Sequence, residues 1–152
     1  MSHVRLLLVD DEERFLATTR ILLEKRDVKS IQTATNGGDA LKILRKEPVD
    51  VVVLDVKMPG MDGVEVLRRL KQEHPLVEVI MLTGHASVES AVDGLKLGAF
   101  DYVMKPIDIP PLLEKVEEAY EKKRAHEEKI RAAKVNEIIS HPMAVFNKDP
   151  ED

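Results

Sequence analysis

Val51-Val52-Val53-Leu54-Asp55-Val56-Lys57-Met58-Pro59-Gly60-Met61-Asp62-Gly63 changes character twice within one short stretch. The run Val51–Leu54 is apolar without a break and rich in β-branched residues, the pattern of a central strand covered on both faces. A carboxylate, Asp55, closes the strand. The loop Lys57-Met58-Pro59-Gly60-Met61 then leads to a helix from about Asp62 to His74, halted by Pro75. Strand, loop and helix in this order make one unit of a parallel sheet flanked by helices.

Working outward, the same unit recurs on both sides. Val4–Val9 reads as a strand, and Asp11–Lys25 follows as a helix with Phe15, Leu16, Thr19, Leu22 and Leu23 on one face. Val28–Thr35 interleaves polar residues and suits a sheet edge. Asn36-Gly37-Gly38 turns the chain into a helix carrying Ala40, Leu41 and Leu44, which stops before Pro48. Beyond the central unit, Val77–Leu82 is a fourth strand. Val88, Ala91, Val92 and Leu95 give a helical stripe that Gly98 stops. Phe100–Met104 is a short fifth strand. Pro111 is a good helix starter, and Leu112, Leu113, Val116 and Tyr120 form its apolar stripe. From there to Ser140 the chain is mostly charged, with Glu118–Lys122 and Glu127–Arg131 in the favourable i, i+4 order, and Glu117–Arg131 reads as a solvated helix face. Pro142 ends the helix, and Asn147–Asp152 reads as a frayed tail. The expected organisation is an α/β domain of five βα units over residues 1–122 and a helical extension and tail over 123–152.

Composition narrows the function. The 152 residues carry 23 Lys and Arg against 28 Asp and Glu, a formal charge of −5, so direct DNA binding through phosphate neutralisation is not expected. The absence of cysteine excludes disulfides, zinc–thiolate sites and thiol catalysis. The longest apolar runs are too short to span a bilayer, and the acidic Asp10-Asp11-Glu12-Glu13 directly after the first is unlike a signal peptide. A cytoplasmic protein without membrane insertion is expected.

Ligands of an open parallel sheet gather at the carboxyl ends of its strands. Those ends hold Asp10 and Asp11 after strand one, Asp55 after strand three, Thr83 after strand four and Lys105 after strand five. Three carboxylates held close repel one another, a divalent cation relieves this, and oxygen-only ligands favour Mg²⁺ over a soft metal. An ionised Asp55 beside such a cation and a lysine can attack phosphorus, and the Lys105 ammonium can stabilise charge on phosphoryl oxygens. The Thr83 hydroxyl can donate a hydrogen bond to one of those oxygens.

These residues and their surroundings resemble the receiver domains of two-component response regulators. The match runs through Leu7-Leu8-Val9-Asp10-Asp11-Glu12, the stretch Asp55–Gly63, Leu82-Thr83-Gly84-His85 and Tyr102-Val103-Met104-Lys105-Pro106. The resemblance implies a flavodoxin-like, doubly wound sheet of order 2-1-3-4-5 and a cis peptide before Pro106. It implies that Asp55 takes a phosphoryl group from a sensor histidine kinase or phosphotransfer protein. Mg²⁺ would be bound by Asp10, Asp11, Asp55 and the backbone carbonyl of Lys57. Thr83 and Tyr102 would be the switch residues, and the face of the fourth helix, fifth strand and fifth helix would change its downstream protein partner. The chain would catalyse only its own phosphorylation and dephosphorylation. Lys57 and His85 flank the phosphoryl position and bear on the lifetime of that state.

Two other functions compete. An aspartyl-phosphate phosphatase of the haloacid dehalogenase type also places an Asp after a parallel strand, but it wants a second Asp two positions later, where Lys57 stands. A phosphate-independent interaction module would work through the long helix, whose Ile130, Ala133, Val135 and Ile138 are too few and irregular for a regular coiled coil. About thirty residues follow Tyr120, too few for a helix-turn-helix domain of ~50 or more. The expected output is therefore protein contact by a stand-alone receiver, with the extended helix serving docking or a homodimer.

Overall fold

The computed structural model describes residues 3–84 and 88–140. His85, Pro142 and the tail Asn147–Asp152 lie outside the described residues. In chain order the elements are β1 (Arg5–Val9), α1 (Glu13–Glu24), β2 (Ser30–Ala34), α2 (Gly37–Lys46), β3 (Val51–Asp55), α3 (Gly63–Glu73), β4 (Glu78–Thr83), α4 (Val88–Lys96), β5 (Asp101–Met104) and α5 (Ile109–Ser140). The sheet is parallel with order β2-β1-β3-β4-β5, so the polar-interleaved β2 lies at an edge and Val51–Leu54 runs through the centre. The long last helix is present, continuous from the sheet to Ser140.

Strand alternation explains why the central runs are apolar throughout. Leu7 and Val9, Val52 and Leu54, and Val79 and Met81 face one core with α2, α3 and α4. Leu6 and Leu8, Val51 and Val53, and Ile80 and Leu82 face the other, with α1 and α5. Each strand residue thus meets a helix on its own side, which leaves no polar face.

Two stripe positions are corrected. Leu22 and Val92 are each 40% exposed, because each sits at the flank of its stripe rather than on the buried line Leu16–Thr19–Leu23 or at Ala91. Gly98 follows α4 at φ 107°, a left-handed conformation that stops the helix at little cost only for glycine. At the start of α5, Leu112 N–H donates to the Asp108 carbonyl, so Pro110 and Pro111 occupy first-turn positions where a missing N–H is harmless.

The expected ion pairs along α5 are also corrected. Lys122 reaches Glu78 and Arg131 pairs with Glu128, while Lys123 is buried against Asp50. Lys122 leaves Glu118 because the buried Glu78 carboxylate offers a less screened field than an exposed glutamate, whereas Arg131 takes the exposed Glu128 one residue nearer along the helix.

Candidate functional site

The parallel register stacks the strand ends on one rim. Val56 N–H donates to the Leu82 carbonyl at 2.9 Å, and Lys105 N–H donates to the Thr83 carbonyl at 2.8 Å. These bonds bring the ends of β3, β4 and β5 side by side. Gly63 brings α3 against the same place: its N–H donates to the Val56 carbonyl at 2.8 Å, and a Cβ at this position would lie 2.3 Å from the Asp55 carbonyl oxygen.

Asp10, Asp11 and Asp55 converge, each offering a carboxylate oxygen within 4.8 Å of the others. Asp10 is fully buried and doubly used. Its Oδ1 accepts the Glu12 N–H at 2.9 Å, and its Oδ2 accepts from the Lys105 ammonium at 2.7 Å. Lys105 lies 3.7 Å from Asp55 and 3.9 Å from Glu12, over the Phe15 ring at 4.7 Å from the centroid. Burial works against this ammonium, but Asp10, Asp55 and Glu12 outweigh it and raise its pKa. Asp55 goes the other way. Burial and the Asp10 charge push its pKa up to about 6, against the opposing pull of Lys105.

The remaining expected residues are near but differently engaged. The exposed Lys57 donates its peptide N–H to Asp55 Oδ1 at 3.3 Å. Thr83 is fully buried, and its hydroxyl donates to the Gly84 carbonyl at 2.9 Å rather than to a carboxylate. Tyr102 is half-buried against the core under α2, α3 and α4. The peptide between Lys105 and Pro106 is cis. Sequence reading assigned Phe15 to the α1 stripe and missed its place under Lys105. Its position two residues beyond the acidic run, on the first turn of a helix that starts at this rim, was the available signal.

The donor set is oxygen-only, anionic and partly buried, with one exposed carboxylate, Asp11, at its mouth. Such a set fits a small hard divalent cation that keeps some water. An ionisable carboxylate beside a lysine and a cation-competent cluster is equipped for phosphoryl chemistry.

The family model for the response regulator receiver domain matches residues 6–117. A response regulator described as NtrX-like from Rickettsia bellii is 39% identical over 110 residues, 71% of this chain and 23% of that protein. The DNA-binding transcriptional regulator NtrC of Escherichia coli K12 is 39% identical over 114 residues, 73% of this chain and 24% of its own length. The chain thus spans about a quarter of the length of these relatives. Among solved structures, a response regulator receiver domain protein from Clostridium thermocellum aligns with TM-score 0.76 and 34% identity, over 80% of this chain and 98% of that one. No helix among the described residues is long and apolar enough to cross a membrane.

Proposed function

The chain belongs to the response regulator receiver family, and from that premise we propose that Asp55 accepts a phosphoryl group from a sensor histidine kinase or a phosphotransfer protein. The observation that carries this reading is the convergence of Asp10, Asp11 and Asp55 within 4.8 Å, with Lys105 at 2.7 Å from Asp10 and 3.7 Å from Asp55. A carboxylate oxygen of Asp55 attacks phosphorus, the phosphorus–nitrogen bond of the donor phosphohistidine breaks, and its electron pair returns to the imidazole. Lys105 places its positive charge where the phosphoryl oxygens arrive. Asp10, Asp11, Asp55 and the Lys57 carbonyl would hold Mg²⁺, which neutralises charge on those oxygens when bound.

The switch residues fit this reading through what they hold now. Thr83 must release the Gly84 carbonyl to donate to a phosphoryl oxygen, and half-buried Tyr102 would move inward as it does. We assign the α4–β5–α5 face to the downstream protein partner; Val92 on α4 and Leu97, just after that helix, are exposed apolar side chains. Residues 1–122 would be the phosphoacceptor unit and 123–152 its extension, in a cytoplasmic protein whose only catalysis is its own phosphorylation and dephosphorylation. A homodimer through the extension is tested by truncation after Lys123, where an unchanged mass in solution removes it.

The deciding experiment is intact-protein mass after incubation with Mg²⁺ and acetyl phosphate, for the wild type and Asp55→Asn. One added phosphoryl group that needs both Mg²⁺ and Asp55 supports the proposal. No adduct, together with no binding of beryllofluoride, overturns it, and steady turnover of a phosphate ester would favour the phosphatase reading. A second reading of the output comes from the match to a quarter of NtrC, which is named as DNA-binding. This receiver would then govern such a regulator rather than touch DNA itself, and residues 1–152 alone should not retard duplex DNA.

A further inference from the structure

At the end of the sheet opposite the acid cluster, three charged residues leave the surface. Asp50 is 2% exposed, Glu78 1% and Lys123 7%. Asp50 precedes β3, and its carboxylate accepts from Arg5 Nη2 at 2.8 Å, Arg5 Nε at 3.0 Å and Arg5 N–H at 2.9 Å. The same carboxylate accepts from Lys123 Nζ at 2.9 Å. Glu78 opens β4 and lies 3.8 Å from Lys71 Nζ and 3.5 Å from Lys122 Nζ. The two acids are neighbours through the backbone, since Glu78 N–H donates to the Asp50 carbonyl at 3.2 Å.

Each buried acid is therefore held between two cations from different elements. Asp50 joins β1 to α5, and Glu78 joins α3 to α5. Both cations on α5 are consecutive residues, placed where the helix leaves the sheet. Lys123 falls on the stripe that buries Leu112, Val116 and Ala119, so it takes a core position at the rim and finds a carboxylate there. Turning or sliding α5 by one residue would leave Lys123 buried without an anion and carry Lys122 away from Glu78, which is costly in a dry setting.

Beyond this point the helix has little support of its own. Residues 124–140 extend roughly 25 Å at the α-helical rise, and all of them are exposed or half-exposed. Continuing the buried stripe meets Ile130 and then the charged Lys134 and Glu137, whereas Val135 and Ile139 lie on the other side of the helix. The apolar residues of the outer half thus cannot seat it against its own domain.

We infer that Asp50 and Glu78, gripping Lys123 and Lys122, form a two-point ionic clasp that fixes the rotation and exit direction of the outer half of α5. The clasp makes the extension a rigid arm of the domain rather than a frayed helix on a loose joint. It stands apart from the phosphoryl site and holds whether or not Asp55 is phosphorylated.

The chain has no cysteine, so spin labels go only where they are placed. Lys42→Cys on α2 and Lys134→Cys on the extension are labelled, the labelled chain is diluted in unlabelled protein, and the distance distribution is read by pulsed electron resonance without any phosphodonor. Lys123→Met keeps Arg5 on Asp50 and so protects the fold, while Asp50→Asn removes the shared acid. The distribution should broaden about twofold in Lys123→Met and at least as much in Asp50→Asn, with Glu117→Gln on the solvent face of α5 as the unchanged control. Widths equal to wild type in folded Lys123→Met and Lys122→Met, confirmed by circular dichroism, would overturn the clasp even if Asp50→Asn fails to fold.

Discussion

Replacing Asp55 by Asn should stabilise the fold while it removes the phosphoacceptor. Burial and Asp10 raise the Asp55 pKa to about 6, above the value near 3.9 of an unfolded aspartate. A raised folded pKa contributes stability that is full below the unfolded value and lost as pH rises through the folded one. At pH 7.5 the ionised Asp55 therefore costs the native state about 3 kcal/mol. In urea titrations without divalent cation, Asp55→Asn should exceed wild type by about that amount at pH 7.5, and the gap should close between pH 6 and pH 4. A wild type more stable than the variant at pH 7.5 would contradict the electrostatic reading. At this scale the rim residues were legible because each follows an apolar run that fixes its address. Asp50 and Glu78 were not, since an acid at the start of a strand has no sequence pattern to say which cation comes to it.

Elements were legible to within a residue or two, because hydrophobic period and breakers such as Pro48, Pro75 and Gly98 act locally. What escaped was the fit between elements. A Cβ at Gly37, the first residue of α2, would lie 2.3 Å from Val66 Cγ2 on α3. Gly37→Ala should cost about 2 kcal/mol by overpacking, and Val66→Ala about 1–2 kcal/mol by lost packing. Because each change relieves the other, the double variant should be more stable than the sum of the two by about 1 kcal/mol in a chemical-denaturation cycle. Strict additivity would mean that α2 and α3 move apart freely. Gly63 allows no such rescue, since what its Cβ would strike is the backbone of Asp55 and Val56. Gly63→Ala should therefore lower both stability and the rate of phosphorylation by acetyl phosphate, and an unchanged rate would separate that glycine from the site.

For the whole molecule, the two ends of the sheet carry opposite electrostatic designs. Burial alone would raise the Asp50 pKa, but the hydrogen bonds from Arg5 and Lys123 overcome it and bring it down to about 2. A depressed folded pKa gives stability that is present above the unfolded value and lost as pH falls through the folded one. Acid unfolding should thus show a loss of about 2 kcal/mol between pH 4 and pH 2 that is missing in Asp50→Asn. The acid cluster behaves inversely, easing as Asp55 protonates, so the fold should be most tolerant near pH 5. Sequence reading found the fold and one of these ends. It took Glu117–Arg131 as a solvated face because helical period alone cannot show that Lys123 crosses the rim where Asp50 waits.

An unbroken α5 from Ile109 to Ser140 also has a phase. Every residue inserted or removed between Arg124 and Ser140 turns whatever lies beyond by about 100° and shifts it by about 1.5 Å, whereas seven residues nearly restore the heading. Anything joined to the end of this arm would read the domain as an angular setting, and a spacer series would show that reading as an oscillation with the period of a helical turn.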